Sequence, residues 1–187
     1  MSTVLTDPEF TVPPVPDAET GVAWLRASVV RFSSGAVHER RRALVEAELD
    51  KIDPEALRKE RKSGPVEVLA EAMGLPSTVA ADVETVAKSY QPHTVITVEA
   101  DAAVERLVKV CGARDEVTAN RIGLLVQACA ATAALIAGND PPVPVTRRIA
   151  PDGSLVEVDL SEYPFGLGAH ACPGRAHALA LAAGLGR

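Results

Sequence analysis

PFGLGAHACPGR, residues 164–175, sets a cysteine in a glycine-rich turn immediately before a last apolar stretch that predicts a helix through Leu185. Gly168 and Gly174 allow the backbone to turn tightly, so that nearby N–H groups can point at the Cys172 sulfur. The positive end of the following helix should favour a thiolate there and lower the thiol pKa. A thiolate in such a turn is a soft, anionic metal ligand. Two other readings stand beside this one. The turn can simply hold a buried free cysteine, or His170, Cys172 and His177 can be metal ligands, although that set lacks the fourth ligand and the paired spacing of a structural zinc site.

Upstream of the loop the apolar period is two. Val143, Val145 and Ile149, a Pro151-Asp152-Gly153 turn, and Leu155, Val156 and Val158 predict a small β-hairpin. Before Pro141-Pro142 the pattern is helical. Residues 122–137 are apolar, interrupted by Gly123, Gln127 and Thr132, and shorter than the roughly 20 residues that span a bilayer; the helix predicted over 116–137 should be buried on nearly all faces. Further helices are predicted over 17–32 with Asp17 as cap, over the basic segment 37–50, after Asp53-Pro54 and Gly64-Pro65, and over 77–90 and 99–111, with a loop at 91–97. Residues 1–20 carry four prolines in the first sixteen and neither the basic start nor the apolar stretch of a signal peptide, which predicts an extended N-terminal arm ahead of a single domain over 21–187.

The composition agrees with one helix-rich domain. In 187 residues, 47% hydrophobic and 24% charged, there is enough apolar surface for a sizeable core. A net charge of −6 argues against nucleic acid as a partner, because neutralising phosphates needs a basic face. The cysteines, Cys111, Cys129 and Cys172, are too few and too scattered for a disulfide framework, which predicts a reduced, cytoplasmic setting without a membrane partner.

Phe165, Gly168, His170, Cys172 and Gly174 meet every specified position of the pattern F-x-x-G-x-(R or H)-x-C-x-G. The loop resembles the heme-thiolate loop of cytochromes P-450. The resemblance extends to His38 and Arg42, which share the H-x-x-x-R spacing of that family's basic helix, and to Arg147-Arg148, which match its strand arginine, with either of the two free to turn inward. What it implies is a mainly α, reduced P-450-like domain binding heme b, with Cys172 on the iron and Phe165 packed near the sulfur. His38, Arg42, His170 and an arginine of the hairpin would meet the propionates.

The departures from the family are informative. Its central helix carries a small residue, glycine, any residue, an acid and threonine, where this chain has Ala128-Cys129-Ala130-Ala131-Thr132. Thr132 matches the catalytic threonine, whereas Ala131 replaces the acid that passes protons to iron-bound oxygen. No E-x-x-R occurs among the 39 residues between Thr132 and Cys172, and Glu39/Arg42 and Glu55/Arg58 read as ordinary helix-face pairs. The implied function is oxidation of a small organic substrate with a redox partner or peroxide, or non-redox heme chemistry such as rearrangement or dehydration, or heme binding and ligand sensing without turnover. A homodimer would cover the heme and the apolar face of the central helix.

Overall fold

Glycine, proline and a few capping side chains divide this chain into helices. The computed structural model describes residues 2–58 and 63–185. In chain order these form α1 (Ser2–Thr6), α2 (Gly21–Ser28), a 3-10 turn (Val30–Phe32), α3 (Gly35–Leu49), α4 (Pro54–Leu57), α5 (Pro65–Ala72), a 3-10 turn (Ser77–Val79) leading into α6 (Ala80–Lys88), α7 (Val98–Cys111) and α8 (Glu116–Ile136). The hairpin β1 (Val145–Ile149) and β2 (Leu155–Asp159), a 3-10 turn (Gly168–His170) and α9 (Arg175–Leu185) follow. The architecture is mainly α with one small antiparallel two-stranded sheet, in which Arg147 faces Glu157 and Arg148 faces Val156.

Local chemistry accounts for several helix ends. Asp53, Thr97 and Asp115 each accept a backbone N–H at the start of α4, α7 and α8, at 3.0, 3.1 and 2.8 Å. The start of α2 is different. Asp17 does not cap it; the helix begins at Gly21, and its first amides donate to side chains of α7, Gly21 N to Glu105 Oε1 at 3.3 Å and Val22 N to Asp101 Oδ1 at 2.8 Å. The cap comes from the packing of two helices, which no local sequence rule anticipates.

The main core gathers Leu25, Val83, Leu107, Ile122, Leu125 and Leu181, contributed by α2, α6, α7, α8 and α9. Arg121 of α8 ties the bundle together by donating to Glu48 Oε1 (2.9 Å), Cys111 O (2.8 Å) and Met73 O (3.0 Å). Burial of α8 on nearly all faces holds only for its first half. Beyond Val126 only Thr132 is buried, and Ala128, Cys129 and Ala131 are partly open. An apolar run shows that a helix has apolar residues, not how far along it the neighbouring helices extend. At 21 residues α8 is long and apolar enough to cross a membrane by length and composition, yet its first half is packed as a core helix is.

The N-terminal segment is not a loose extended arm. Its start is the helical turn α1, whose Leu5 is buried against Val158 and Leu160. Thr11 exchanges two backbone hydrogen bonds with Ile149, at 3.1 and 2.8 Å, and Val12 N donates to Ser34 Oγ at 3.2 Å. These few residues therefore join the cysteine loop, the hairpin and the entry to α3. Removing residues 1–12 forfeits the burial of Leu5 and these bonds, a loss of about 2 kcal/mol and a Tm drop of roughly 4–8 °C. Amide exchange should accelerate in residues 165–172 and stay slow in the first half of α8; equal acceleration in both would show that the segment does not act locally.

Candidate functional site

The cysteine loop is shaped by two left-handed glycines, Gly166 (φ 72°) and Gly168 (φ 66°). A Cβ on Gly168 would stand 2.8 Å from the Leu5 carbonyl oxygen, so glycine is required there by backbone angle and by space alike. Gly174 keeps an ordinary φ, and its backbone amide acts to lower the Cys172 thiol pKa. Cys172 N donates to Phe165 O at 2.8 Å and closes the loop, and the Arg175 guanidinium lies over the Phe165 ring, 5.2 Å from its centroid. Cys172 is exposed, yet crowding around its sulfur is the largest influence and pushes the thiol up, against the Gly174 N–H and the charges of Arg42 and Arg31. An open edge and a packed flank coexist at this atom. The expected lowering of the thiol pKa is therefore not found in the chain by itself, because desolvation outweighs those opposing influences.

Three other elements, the 3-10 turn at Val30–Phe32, α3 and β1, bring basic side chains to act on the loop. His38 of α3 is buried, 4% exposed, and its ring centroid lies 4.0 Å from that of His170 with the planes at 46°. Strand alternation separates the two hairpin arginines. Arg148 turns inward, 5% exposed, donating from Nη1 to Thr146 Oγ (3.1 Å) and Arg147 O (2.9 Å). Arg147 turns outward, pairing with Glu157 at 2.9 Å and meeting His93 Nδ1 at 3.1 Å, away from the cluster. Arg42, one turn beyond His38, is occupied: Nη1 donates to Ala169 O (3.2 Å) and Ala171 O (2.5 Å), and Nε to Glu46 Oε1 (2.6 Å). It braces the loop against α3 instead of standing free. Arg31, on the 3-10 turn before α3, acts electrostatically on Arg148, His170 and Cys172. Sequence reasoning missed it, since a lone arginine in a short turn carries no spacing signal.

Among the described residues no carboxylate forms an ion pair with Arg31, His38, Arg148 or His170. Burial lowers the His38 pKa, with Arg42 and Arg148 adding to it against Glu39 and Glu46. Burial, then His38, Arg148, Arg31 and Arg42, brings His170 down to about 4. Such a group binds fewer protons folded than unfolded between the ordinary value of 6.5 and about 4, so acid favours the unfolded chain. The ligand-free protein should hold its stability above about pH 6.5 and lose it progressively as pH falls toward 4. His170→Gln should flatten that decline in a series of thermal melts; an unchanged slope would show that His170 does not contribute.

The zinc-like alternative finds no site. Among the described residues no three metal-ligating side chains gather, and His177 Nε2 turns to Leu49 O (3.2 Å) and Ile52 O (2.9 Å). On α8, Thr132 is 1% exposed and its Oγ has no partner, while Gln127 Nε2 donates back to Gly123 O at 3.1 Å. Cys111 is buried and Cys129 partly buried, and burial pushes both thiols up. Trp24 is a core residue under the Arg114 guanidinium, 5.0 Å from its ring centroid. No protein-family model matches the chain, and no curated protein matches its sequence.

Proposed function

We propose that the chain is a heme-thiolate protein similar to cytochromes P-450, with Cys172 on the iron of heme b and the propionates met by His38, Arg148 and His170. The observation that carries this reading is the gathering of basic side chains, the stacked His38 and His170 and the buried Arg148, beside an accessible cysteine, with no carboxylate ion-paired to them among the described residues. A buried arginine without a counter-ion destabilises the chain that holds it unless an anion completes it, and an arriving carboxylate would also favour protonation of the two histidines. The donor set fits the group: a soft sulfur for the iron, and a buried arginine with two imidazole donors for the carboxylates. Phe165 would shield the sulfur, the Gly174 N–H would moderate its basicity, and Arg42 would hold the loop through the carbonyls on either side of His170.

When bound, the heme supplies an iron centre able to activate oxygen or peroxide toward a small organic substrate. This chain's own contribution on the α8 side is limited. Residues 122–136 contain no carboxylate, and Ala131 has no proton to give. Thr132 and Gln127 can orient water but cannot act as acids near neutral pH. Peroxide brings its own protons and depends less on that delivery, so the proposed enzyme is peroxide-using or non-redox. The lack of an acid in residues 122–136 is also what favours the second reading, heme binding or ligand sensing without turnover. Titration with hemin, followed by reduction under carbon monoxide, tests both: a thiolate-type spectrum with co-substrate turnover supports the enzyme, and the same spectrum without turnover supports the sensor. Failure to bind hemin would end both.

A further inference from the structure

His38 and Arg148 are closed in: they are 4% and 5% exposed, and the His170 ring stacks on that of His38. The cavities of about 290 Å³ at Ile52 and Leu57 and about 160 Å³ at Leu5 and Tyr163 are lined by none of these three residues. A ligand that reaches them must first open a way in. The three side chains stand on α3, β1 and the 3-10 turn Gly168–His170, and the N-terminal segment touches all three elements. At the turn, the Leu5 carbonyl oxygen and the Thr6 Cα lie so close to Gly168 that a Cβ there would meet them at 2.8 and 3.2 Å. At β1, Thr11 pairs with Ile149, the neighbour of Arg148, through bonds of 3.1 and 2.8 Å. At α3, Val12 N donates to Ser34 Oγ at 3.2 Å, and His38 N donates to Ser34 O at 3.4 Å.

The same segment can come away as a unit. Leu5 buries in a satellite cluster with Val158 and Leu160, apart from the main core. Residues 13–19 contain Pro13, Pro14 and Pro16 and form no hydrogen bond among the described residues. Anchorage resumes where Gly21 N and Val22 N donate to Glu105 and Asp101 of α7. Release of residues 3–12 therefore breaks local contacts and leaves α2 in place, as a local opening does. The cysteine loop, by contrast, stays braced to α3 through Arg42.

We infer that residues 3–12 are a strap that gates the site: seated, they hold the turn, β1 and α3 together around His38 and Arg148, and their release admits the ligand. The gate stands on this geometry; that the ligand is heme rests on the reading above.

Two variants move the strap in opposite directions. Leu5→Ala weakens its apolar anchor. Thr11→Cys combined with Ile149→Cys locks it when oxidised, since directly opposed residues that exchange both backbone bonds have Cα atoms about 5.5 Å apart, within reach of a disulfide. Asp53→Ala, which loses the α4 cap, controls for destabilisation elsewhere. Access is read without any ligand as the rate at which diethyl pyrocarbonate modifies His38, mapped by peptide mass, with the exposed His93 as internal reference. His38 should react at least roughly tenfold faster in Leu5→Ala, at the parent rate in Asp53→Ala, and more slowly than the parent in the oxidised double variant, recovering on reduction. Hemin association, followed by stopped-flow absorbance, should keep the same order. His38 reactivity unchanged by the lock, or raised as much by Asp53→Ala as by Leu5→Ala, would overturn the strap. His38 rates that follow the strap while hemin association does not would overturn its control of ligand entry. A parent that binds no hemin would overturn the heme reading, and the His38 rates would still decide whether the strap closes the site.

Discussion

Replacing Cys172 by alanine is expected to abolish thiolate-type ligation while leaving the fold almost unchanged. The loop is closed by the backbone N–H of residue 172 donating to Phe165 O, a bond that alanine keeps. The side chain lost is small and exposed, so the stability of the ligand-free chain should move by less than about 0.5 kcal/mol. The spectrum, in contrast, should change completely: either hemin no longer binds, or it binds with the signature of a nitrogen or water ligand. Cys111→Ala and Cys129→Ala separate this from a general thiol effect. Cys111 is enclosed by the core and Cys129 packs against it, and desolvation disfavours the thiolate of each. Both variants should retain the parent spectrum. Because crowding also pushes the Cys172 thiol up, binding should release a proton and strengthen as pH rises above neutrality. A Cys172→Ala protein with the parent spectrum and hemin affinity would remove the heme-thiolate reading entirely.

What could be read in the sequence is what local chemistry controls. Proline at the first position of α4 and α5 and the Pro151-Asp152-Gly153 turn specify backbone geometry by themselves, and those elements stand where the pattern placed them. Strand alternation required one of Arg147 and Arg148 to point inward but could not say which, because the choice depends on what lies against the hairpin. The N-terminal segment was illegible for a similar reason. Its prolines disfavour a long helix, and only the presence of the cysteine loop and the hairpin gives Leu5 a place to bury and Thr11 a strand to join. Arg42 shows the limit at the site itself. The H-x-x-x-R spacing does put His38 and Arg42 on one face of α3, yet spacing cannot tell a free guanidinium from one spent on two loop carbonyls. Arg31 lay in no pattern at all; its charge acts on Arg148, His170 and Cys172, which lie far along the chain.

Arg148→Met should stabilise the ligand-free chain and weaken ligand binding, two effects of opposite sign from one substitution. Arg148 is 5% exposed, and burial followed by the Arg31 charge disfavours its ionised form. Without an anion it is an uncompensated buried cation, a type of residue whose replacement by an apolar side chain of similar length often stabilises a protein by 1–4 kcal/mol, on the order of magnitude seen for buried ionic groups. The substitution also removes two hydrogen bonds, to Thr146 Oγ and Arg147 O, and leaves the buried Thr146 hydroxyl without that partner, a cost of about 1 kcal/mol. The net expectation is a gain of about 1–2 kcal/mol, read as a higher denaturant midpoint at unchanged m value. Hemin affinity should fall at least tenfold, because a charge-assisted carboxylate contact contributes about 1.5–3 kcal/mol, and the remaining affinity should depend less on salt. An arginine retained only for the fold would behave differently: Met would lower stability, and hemin affinity would follow only as far as the folded fraction fell. If stability falls and affinity per folded molecule is unchanged, the cationic cluster is structural and the anion site does not exist. If stability rises and affinity falls, the chain is shown to carry a destabilising buried charge whose compensation is the ligand.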